Sequence, residues 1–163
     1  MRKEDIRKIE KIVVNTGIGR LSASPNFNDK VLPDLVKEMS LITGQKPATR
    51  PAKQSISGFK LRSGTTVGLK VTLRGARMAK FLDRLRMLVL PRIRDFRGLS
   101  LKNIDTSGNL NIGIRENVVF PEINQEFSKA NFGIQITVVP RSVKGRDEAI
   151  KLYRDLELPL TQS

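Results

Sequence analysis

Hydrophobic and polar residues alternate along several short stretches of the chain, and this period of two predicts β-strands. The clearest stretch is residues 67–74, where the odd positions are apolar and the even positions are glycine, threonine, lysine or arginine. Strands are also predicted for residues 9–15, 110–114 and 134–138, which are rich in valine and isoleucine. We expect each strand to bury one face and to leave the other face polar.

Apolar residues spaced three and four apart predict a first helix over residues 28–43. Asn28 is a suitable N-cap and Gly44 is a suitable stop signal. Pro33 would disturb a helix that began so early, so we expect the regular helix to begin nearer Leu32.

A second helix is predicted from Gly75 to Leu90, and Pro91 should end it. A short, basic and irregular segment should follow over residues 92–98, and a last helix over about residues 146–156. The apolar side of the second helix is expected to consist of Met78, Phe81, Leu82, Leu85, Leu88 and Val89.

The stretch between the first helix and the clearest strand is rich in turn-forming residues. Gln45 to Ser57 contains two prolines and no sustained apolar period, which predicts an exposed, mobile loop. Phe59 to Arg62 is predicted to pair with residues 67–74 as a hairpin, around Ser63-Gly64-Thr65.

The resulting order, β-α-β-β-α-β-β-α, predicts an α+β fold. We expect a single domain over residues 1–163, in which helices pack on one face of an antiparallel sheet. The other face should stay open and basic, because Lys70, Thr72 and Arg74 share it. An open polar sheet face with basic residues is a common way for a protein to bind RNA.

Net charge strengthens this prediction. The chain has 163 residues with 30 Lys and Arg against 16 Asp and Glu, a formal net charge of +14. Lys46 to Lys102 contains fifteen of the basic residues and only two acidic ones, so this segment carries nearly all of the excess. Such a concentration is typical of a site for a polyanion.

Composition also excludes several classes of function. The chain contains no Cys and no His, which removes disulfides, thiolate zinc sites and nucleophile-histidine catalysis. The carboxylates are scattered, so we expect no enzyme, no metal and no cofactor. No apolar run approaches the length needed to span a bilayer, so no membrane partner is expected.

The two glycines of Gly17-Ile18-Gly19 follow a predicted strand and faintly resemble a dinucleotide-binding fingerprint. The third glycine position is Ser22, and no helix begins close by, so nucleotide binding is disfavoured. A tight turn that needs a positive φ is the better explanation.

Six strings of residues occur in an order that resembles one known family. They are NTGIG at 15–19, TGQKP at 43–47, SGFKLR at 57–62, KVTLRG at 70–75, PRIRDFRG at 91–98 and FPEI at 120–123. Together they resemble the bacterial-type large-subunit ribosomal protein five family, over essentially the whole chain.

That resemblance implies a function in translation. It implies a structural protein that binds 5S ribosomal RNA in the central protuberance of the large subunit. It also implies contacts with large-subunit ribosomal RNA, with peptidyl-site tRNA and with neighbouring large-subunit proteins, and a bridge to a protein of the small-subunit head. The expected location is the cytoplasmic ribosome of a bacterium, or the ribosome of an organelle.

The resemblance also implies particular contact residues. The segment around Glu116 to Gln135 resembles the bridge, and residues 46–57 resemble the loop that reaches the tRNA elbow through Lys46, Arg50 and Lys53. Arg92, Arg94 and Arg97 are further basic contacts. Lys11 and Asn15 should share one strand face, as should Lys70, Thr72 and Arg74. The expected 5S RNA contacts are Lys11, Asn15, Gln45, Lys46, Phe59, Lys70, Thr72 and Arg74.

Two departures from the family pattern qualify these expectations. Members usually carry a helical segment before the first strand, whereas this chain starts almost at that strand. We therefore expect any RNA contact or stabilisation from that helical segment to be missing or replaced. The tRNA-side loop has a second proline and fewer basic residues, so tRNA contact is expected to be weaker than 5S RNA contact. The rival interpretations are a general RNA chaperone, a nucleotide-dependent enzyme and a protein-only scaffold.

Overall fold

The computed structural model describes residues 7–23, 26–59, 61–124, 126, 128 and 130–161. Lys60 and the side chain of Phe59 lie outside the described part. The helices are α1 Leu32–Thr43, α2 Gly75–Arg84 and α3 Arg146–Asp155. The strands are β1 Ile9–Gly17, β2 Ala48–Pro51, β3 Thr66–Leu73, β4 Leu99–Ser100, β5 Leu110–Ile114, β6 Ile134–Pro140 and β7 Leu160–Thr161.

Five strands form one sheet in the order β2-β3-β1-β6-β5, and β4 pairs in parallel with β7. The sheet is mostly antiparallel, which confirms the predicted α+β fold. Along β3 the side chains of Leu69, Val71 and Leu73 are buried, while Lys70 and Thr72 between them are half-buried. The period of two in the sequence therefore corresponds to a real difference between the two faces of the strand.

The chain forms two compact units. The first consists of the described residues of Met1–Val13, Thr72–Ile114 and Gln135–Ser163, and the second of Val14–Val71 and Arg115–Ile134. Each unit has buried apolar side chains of its own, such as Phe81 and Leu82 in the first and Leu35 and Met39 in the second. Folding as a single domain stays a prediction.

Helix α1 begins at Leu32, which places Pro33 in the first turn, where proline is tolerated. Residues 27–31 form a wider, π-helical turn, and the regular helix starts at Leu32 with Pro33 in its first turn. Its N-cap is Val31, so the prediction of Asn28 as the cap was wrong. Gly44 ends the helix with φ of 68°, as its sequence position indicated.

The predicted hairpin pairs the wrong segment with β3. The antiparallel partner of β3 is β2, with Ala48 opposite Lys70 and Arg50 opposite Gly68. Both faces of β2 are exposed, so its sequence shows no alternation, and its register shifts just before Pro51. Part of the predicted loop over residues 45–57 is therefore an edge strand, and Leu61 only forms an isolated bridge with Ile56.

Helix α2 passes into a π-helical turn over Leu85–Val89 and a 3-10 turn over Leu90–Arg92. The helical segment thus continues through Pro91, which is tolerated at the start of the last turn. The wider turn also changes which side chains face inwards. Leu85 and Val89 are buried, but Leu88 is 50% exposed, so its predicted place on the apolar side was wrong.

A buried tyrosine connects α3 to its unit. The Tyr153 hydroxyl lies 2.7 Å from the carbonyl oxygen of Gly108 and 3.1 Å from that of Val138, and it donates to them. Burial raises the pKa of this phenol well above 10. The hydroxyl therefore stays protonated and holds the helix against the turn at residues 105–109.

That turn is organised by Asp105. Slight burial acts to raise the pKa of its carboxyl, but hydrogen bonds from the side chain and backbone of Asn109, and from the backbone of Ser107 and Gly108, lower the pKa below 3.8. The side-chain amide and the backbone N–H of Asn109 each donate over 2.8 Å.

Candidate nucleic-acid interface

In the unit of residues 14–71 and 115–134, pairing between β2 and β3 assembles a basic surface. Paired residues point to the same face, so Arg50 lies with Gly68 and one step diagonally from Lys70. Diagonal neighbours in a sheet lie about 7–8 Å apart. Arg50 is exposed and Lys70 is half-buried, so two cations occupy the open side of this sheet edge.

Gly68 keeps the surface beside these cations flat. A Cβ at this position would lie 3.2 Å from the backbone oxygen of Thr16 and 3.8 Å from Cβ of Arg50. A larger side chain would therefore cover the backbone between β3 and β1. On β1, Asn15 is half-buried between buried Val14 and Thr16, which puts it on the less buried side of the strand.

Gln45 and Lys46 follow the C-terminus of α1 at a fixed position. The buried Thr43 hydroxyl lies 2.7 Å from the carbonyl oxygen of Met39 and 2.9 Å from that of Gln45. The backbone N–H of Gly44 donates to Ser40 over 2.8 Å. This cap presents Lys46 to solvent, with Gln45 half-buried beside it.

The segment predicted to contact tRNA continues from β2 as a closed loop. The backbone N–H of Ala52 donates to Thr65 over 2.8 Å, and that of Gly64 donates to Ala52 over 3.0 Å. Within the loop, the N–H of Ser63 donates to the Ser55 hydroxyl over 2.9 Å. Lys53 is exposed just beyond the closing hydrogen bonds.

In the unit of residues 1–13, 72–114 and 135–163, Lys11 and Thr72 lie on the less buried faces of their strands, as the alternation in the sequence predicted. Lys11 on β1 is half-buried and forms an ion pair of 3.1 Å with neighbouring Glu10, which is itself exposed. Thr72 on β3 is half-buried between buried Val71 and Leu73.

Arg74 follows β3 in an extended conformation, with φ of −140° and ψ of 160°, so the alternation of the strand continues through it. It is exposed, directly before the first residue of α2. The shared face predicted for Thr72 and Arg74 is therefore consistent with the backbone that connects them.

Arg92, Arg94 and Arg97 are all exposed on the turns that follow α2. The segment is held at its end, where the N–H of Leu99 donates to Pro159 over 2.7 Å. Gly98 has φ of 108°, and a Cβ there would lie 2.5 Å from Cγ2 of Thr161. Only glycine fits this close approach without strain.

The segment predicted to form the bridge has a buried polar centre. Asn117 is fully buried, and its side-chain amide donates to the Glu38 carboxylate over 2.7 Å. The same nitrogen lies 3.2 Å from the Ser128 hydroxyl and 3.3 Å from the carbonyl oxygen of Ala130. These contacts connect Asn117 to Glu38 of α1 and to Ser128 and Ala130 of the same segment.

The sequence analysis missed one polar contact and misjudged one turn. The Thr137 hydroxyl donates to the Asn111 side chain over 2.8 Å, which joins polar side chains of β6 and β5. The glycines of the NTGIG string were assigned to a turn with positive φ, but neither Gly17 nor Gly19 has one, so that explanation was wrong. Alternating polarity could have suggested the first feature, since Asn111 and Thr137 both lie between buried neighbours.

The structure adds two observations about other site types. Among the residues it describes, no cluster of three or more Asp or Glu side chains could hold a metal ion. In the same described ranges, no helix is long and apolar enough to cross a membrane.

Comparisons with known proteins agree over nearly the full chain. A family model described as ribosomal protein L5 matches residues 5–62, and a second model, for the C-terminus of the same ribosomal family, matches residues 66–160. The large ribosomal subunit protein uL5 of Halothermothrix orenii is 45% identical over 157 residues, which are 96% of this chain and 85% of that protein. The uL5 proteins of Mycoplasma pneumoniae and Carboxydothermus hydrogenoformans are 46% and 42% identical, covering 96% and 98% of this chain and 84% and 87% of theirs.

Proposed function

Because the chain belongs to the ribosomal protein L5 family, we propose that it is a constituent of the large ribosomal subunit and binds 5S ribosomal RNA there. Membership of this family makes it a structural protein and not an enzyme. The proposed place of action is the ribosome, in the cytoplasm if the source is a bacterium.

The observation that carries the 5S RNA proposal is the basic, half-exposed side of the sheet. Lys70 and Arg50 are diagonal neighbours there, and Gly68 leaves the backbone beside them uncovered. Cations at such a surface neutralise phosphates and release counterions, which supplies most of the affinity of a protein for RNA. Polar side chains on the less buried faces of β1 and β3, such as Asn15 and Thr72, can add contacts with 2′-hydroxyl groups or base edges.

The other proposed contacts extend this one. Lys46, Arg50 and Lys53 would approach peptidyl-site tRNA. The hydrogen bonds that close the loop beyond β2 support a loop whose conformation is formed before binding. Arg92, Arg94 and Arg97 would contact ribosomal RNA. The described part of residues 116–135, in which Asn117 donates a hydrogen bond to Glu38 of α1, would carry the bridge to a protein of the small-subunit head.

The test reverses charge on the proposed face. Lys70→Glu combined with Arg74→Glu should weaken binding to 5S RNA by at least roughly 100-fold, since each charge-assisted contact contributes about 1.5–3 kcal/mol. The matched control is Lys144→Glu with Lys151→Glu, which changes the net charge equally at two other exposed lysines. Affinity is measured by titration into 5S RNA and into a structured RNA of the same length, across a salt series.

Each outcome has a clear meaning. Selective 5S binding that the face variant loses and the control variant keeps would support the proposal. A folded face variant with unchanged affinity would rule out this face. Equal affinity for both RNAs, with a steep fall as salt rises, would favour a general RNA chaperone instead.

A further inference from the structure

Met87 differs in exposure from the other methionines that the structure describes. Met39 and Met78 are buried, with exposed fractions of 0% and 3%, whereas Met87 is 64% exposed. Met1, the fourth methionine of the sequence, lies outside the described residues. A thioether in solvent is open to attack by an oxidant, whereas a buried one must first be uncovered by local unfolding.

The exposure of Met87 is a fixed feature of the turn that carries it. Met87 lies in the π-helical turn over Leu85–Val89, and both end residues of that turn are buried. Arg86, directly before Met87, forms an ion pair with the Glu157 carboxylate and a longer one, of 3.9 Å, with Asp83. These contacts hold the turn on both sides of Met87 and leave its side chain in solvent.

Met87 also belongs to a small apolar surface on this helical segment. Leu88 is 50% exposed, and Pro91, which is three and four residues further on, is exposed as well. Residues at this spacing are neighbours on a helix surface. Oxidation turns the flexible apolar side chain of methionine into a polar one, so a sulfoxide at Met87 would make this surface more polar.

We propose that Met87 is a reversible oxidation site of this protein, at which a peroxide converts the thioether to the sulfoxide while the fold stays intact. The sulfur lone pair attacks one peroxide oxygen, and the O–O bond breaks. The attacked oxygen gives its proton to the departing hydroxide, so water leaves, sulfur is oxidised and the peroxide is reduced. The reverse step uses a dithiol reductase, in which two thiols become a disulfide and the oxygen leaves as water.

The two buried methionines should respond differently. A sulfoxide oxygen at Met39 or Met78 would lie in the protein interior, where a polar atom without a partner lowers stability. At Met87 the same oxygen would remain in water. Oxidation should therefore be selective for Met87 and harmless to the fold. None of the proposed RNA contacts includes Met87, so this modification does not depend on where 5S RNA binds.

Limited oxidation of the full chain with hydrogen peroxide measures this selectivity. Trypsin cuts after Arg77, Lys80 and Arg86, so Met78 and Met87 fall in different peptides, and mass spectrometry then counts the oxygen atoms added to each. Sulfoxide should form at Met87 at least about tenfold faster than at Met39 or Met78, because the buried sites react only from locally open states. An equal rate at either buried methionine, or no sulfoxide at Met87, would overturn the proposal.

Reversibility is measured on the same oxidised protein. Incubation with a dithiol and both methionine sulfoxide reductases, one for each epimer of the sulfoxide, should return Met87 to the thioether. A sulfoxide that persists at Met87 under these conditions, while a free methionine sulfoxide in the same tube is reduced, would show that the site is not reversible and would refute the proposal.

Met87→Leu is the matched control, because it keeps an apolar side chain at the same exposed position and removes the sulfur. After peroxide treatment, the wild-type chain should elute earlier than before from a hydrophobic-interaction column, and Met87→Leu should shift less. The Tm of the oxidised wild-type chain should stay within about 2 °C of the untreated value, since a change at an exposed position has little effect on stability. An equal shift of both proteins, or a larger fall in Tm, would count against Met87 as the site.

Discussion

Gly98→Ala should be among the most damaging single-methyl substitutions in this protein. The residue has φ of 108°, and a Cβ would lie 2.5 Å from Cγ2 of Thr161 and 3.0 Å from the carbonyl oxygen of Pro159. Holding a non-glycine residue in such a conformation costs about 1–3 kcal/mol. Forcing a methyl group into filled space costs about 1–3 kcal/mol more. The expected loss is therefore about 2–6 kcal/mol in the free energy of unfolding.

Urea unfolding monitored by circular dichroism measures this loss, and thermal unfolding gives a second estimate. For a protein of this size, each kcal/mol lowers the Tm by about 2–4 °C, so the decrease should lie between about 4 and 24 °C. The control is Gly17→Ala, which meets no neighbour and no positive φ. It should be neutral or stabilise the protein by up to about 1 kcal/mol.

A double-mutant cycle separates the two causes of the loss. Thr161→Ser removes Cγ2 but keeps the hydroxyl that lies 3.3 Å from the carbonyl oxygen of Leu99. In the Gly98→Ala background it should recover about 1–2 kcal/mol, the part due to crowding, and leave the backbone strain. A Gly98→Ala protein that loses less than about 1 kcal/mol, or no recovery from Thr161→Ser, would refute this reasoning.

Three further substitutions test other contacts. Tyr153→Phe should cost about 1–3 kcal/mol in urea unfolding, because the Gly108 carbonyl loses its buried donor; an unchanged midpoint would contradict this. Asn117→Ala should cost about 2–4 kcal/mol, because it opens a cavity and leaves Glu38 without this hydrogen bond, whereas a loss limited to a few tenths would argue against a buried polar centre. Asp105 has a lowered pKa, so its stabilisation is present above pH 3.8 and is lost as the pH falls through the folded-state value; Asp105→Asn should flatten the acid end of the stability profile, and an unaltered profile would exclude this role.

The elements that sequence predicted well are those in which local and tertiary preferences agree. β3 alternates because one face is buried, and Gly44 ends α1 because only the left-handed conformation closes the cap. β2 was missed because an exposed edge strand has no reason to alternate, and without it the hairpin was given the wrong partner.

The candidate site was predictable to a similar degree. The position of Lys70 on the less buried side of β3 follows from spacing alone, but its diagonal relation to Arg50 depends on a strand that the sequence did not reveal. Leu88 was assigned to the core because a helical period assumes a regular turn, whereas the π-helical turn moves it outwards. Whether Gly17 adopts a positive φ could be decided only from its backbone angles, since the sequence alone does not show the conformation of a glycine.

The edge strand β2 also affects the solubility of the protein before it binds RNA. A sheet edge offers unpaired backbone groups to a strand of another chain, including a second copy of the same chain. Pro51 has no N–H to donate, the register breaks beside it, and Arg50 repels the same residue of a second copy. The basic residue proposed to hold RNA would thus help to keep unassembled chains from aggregating, so replacing it should reduce solubility as well as affinity.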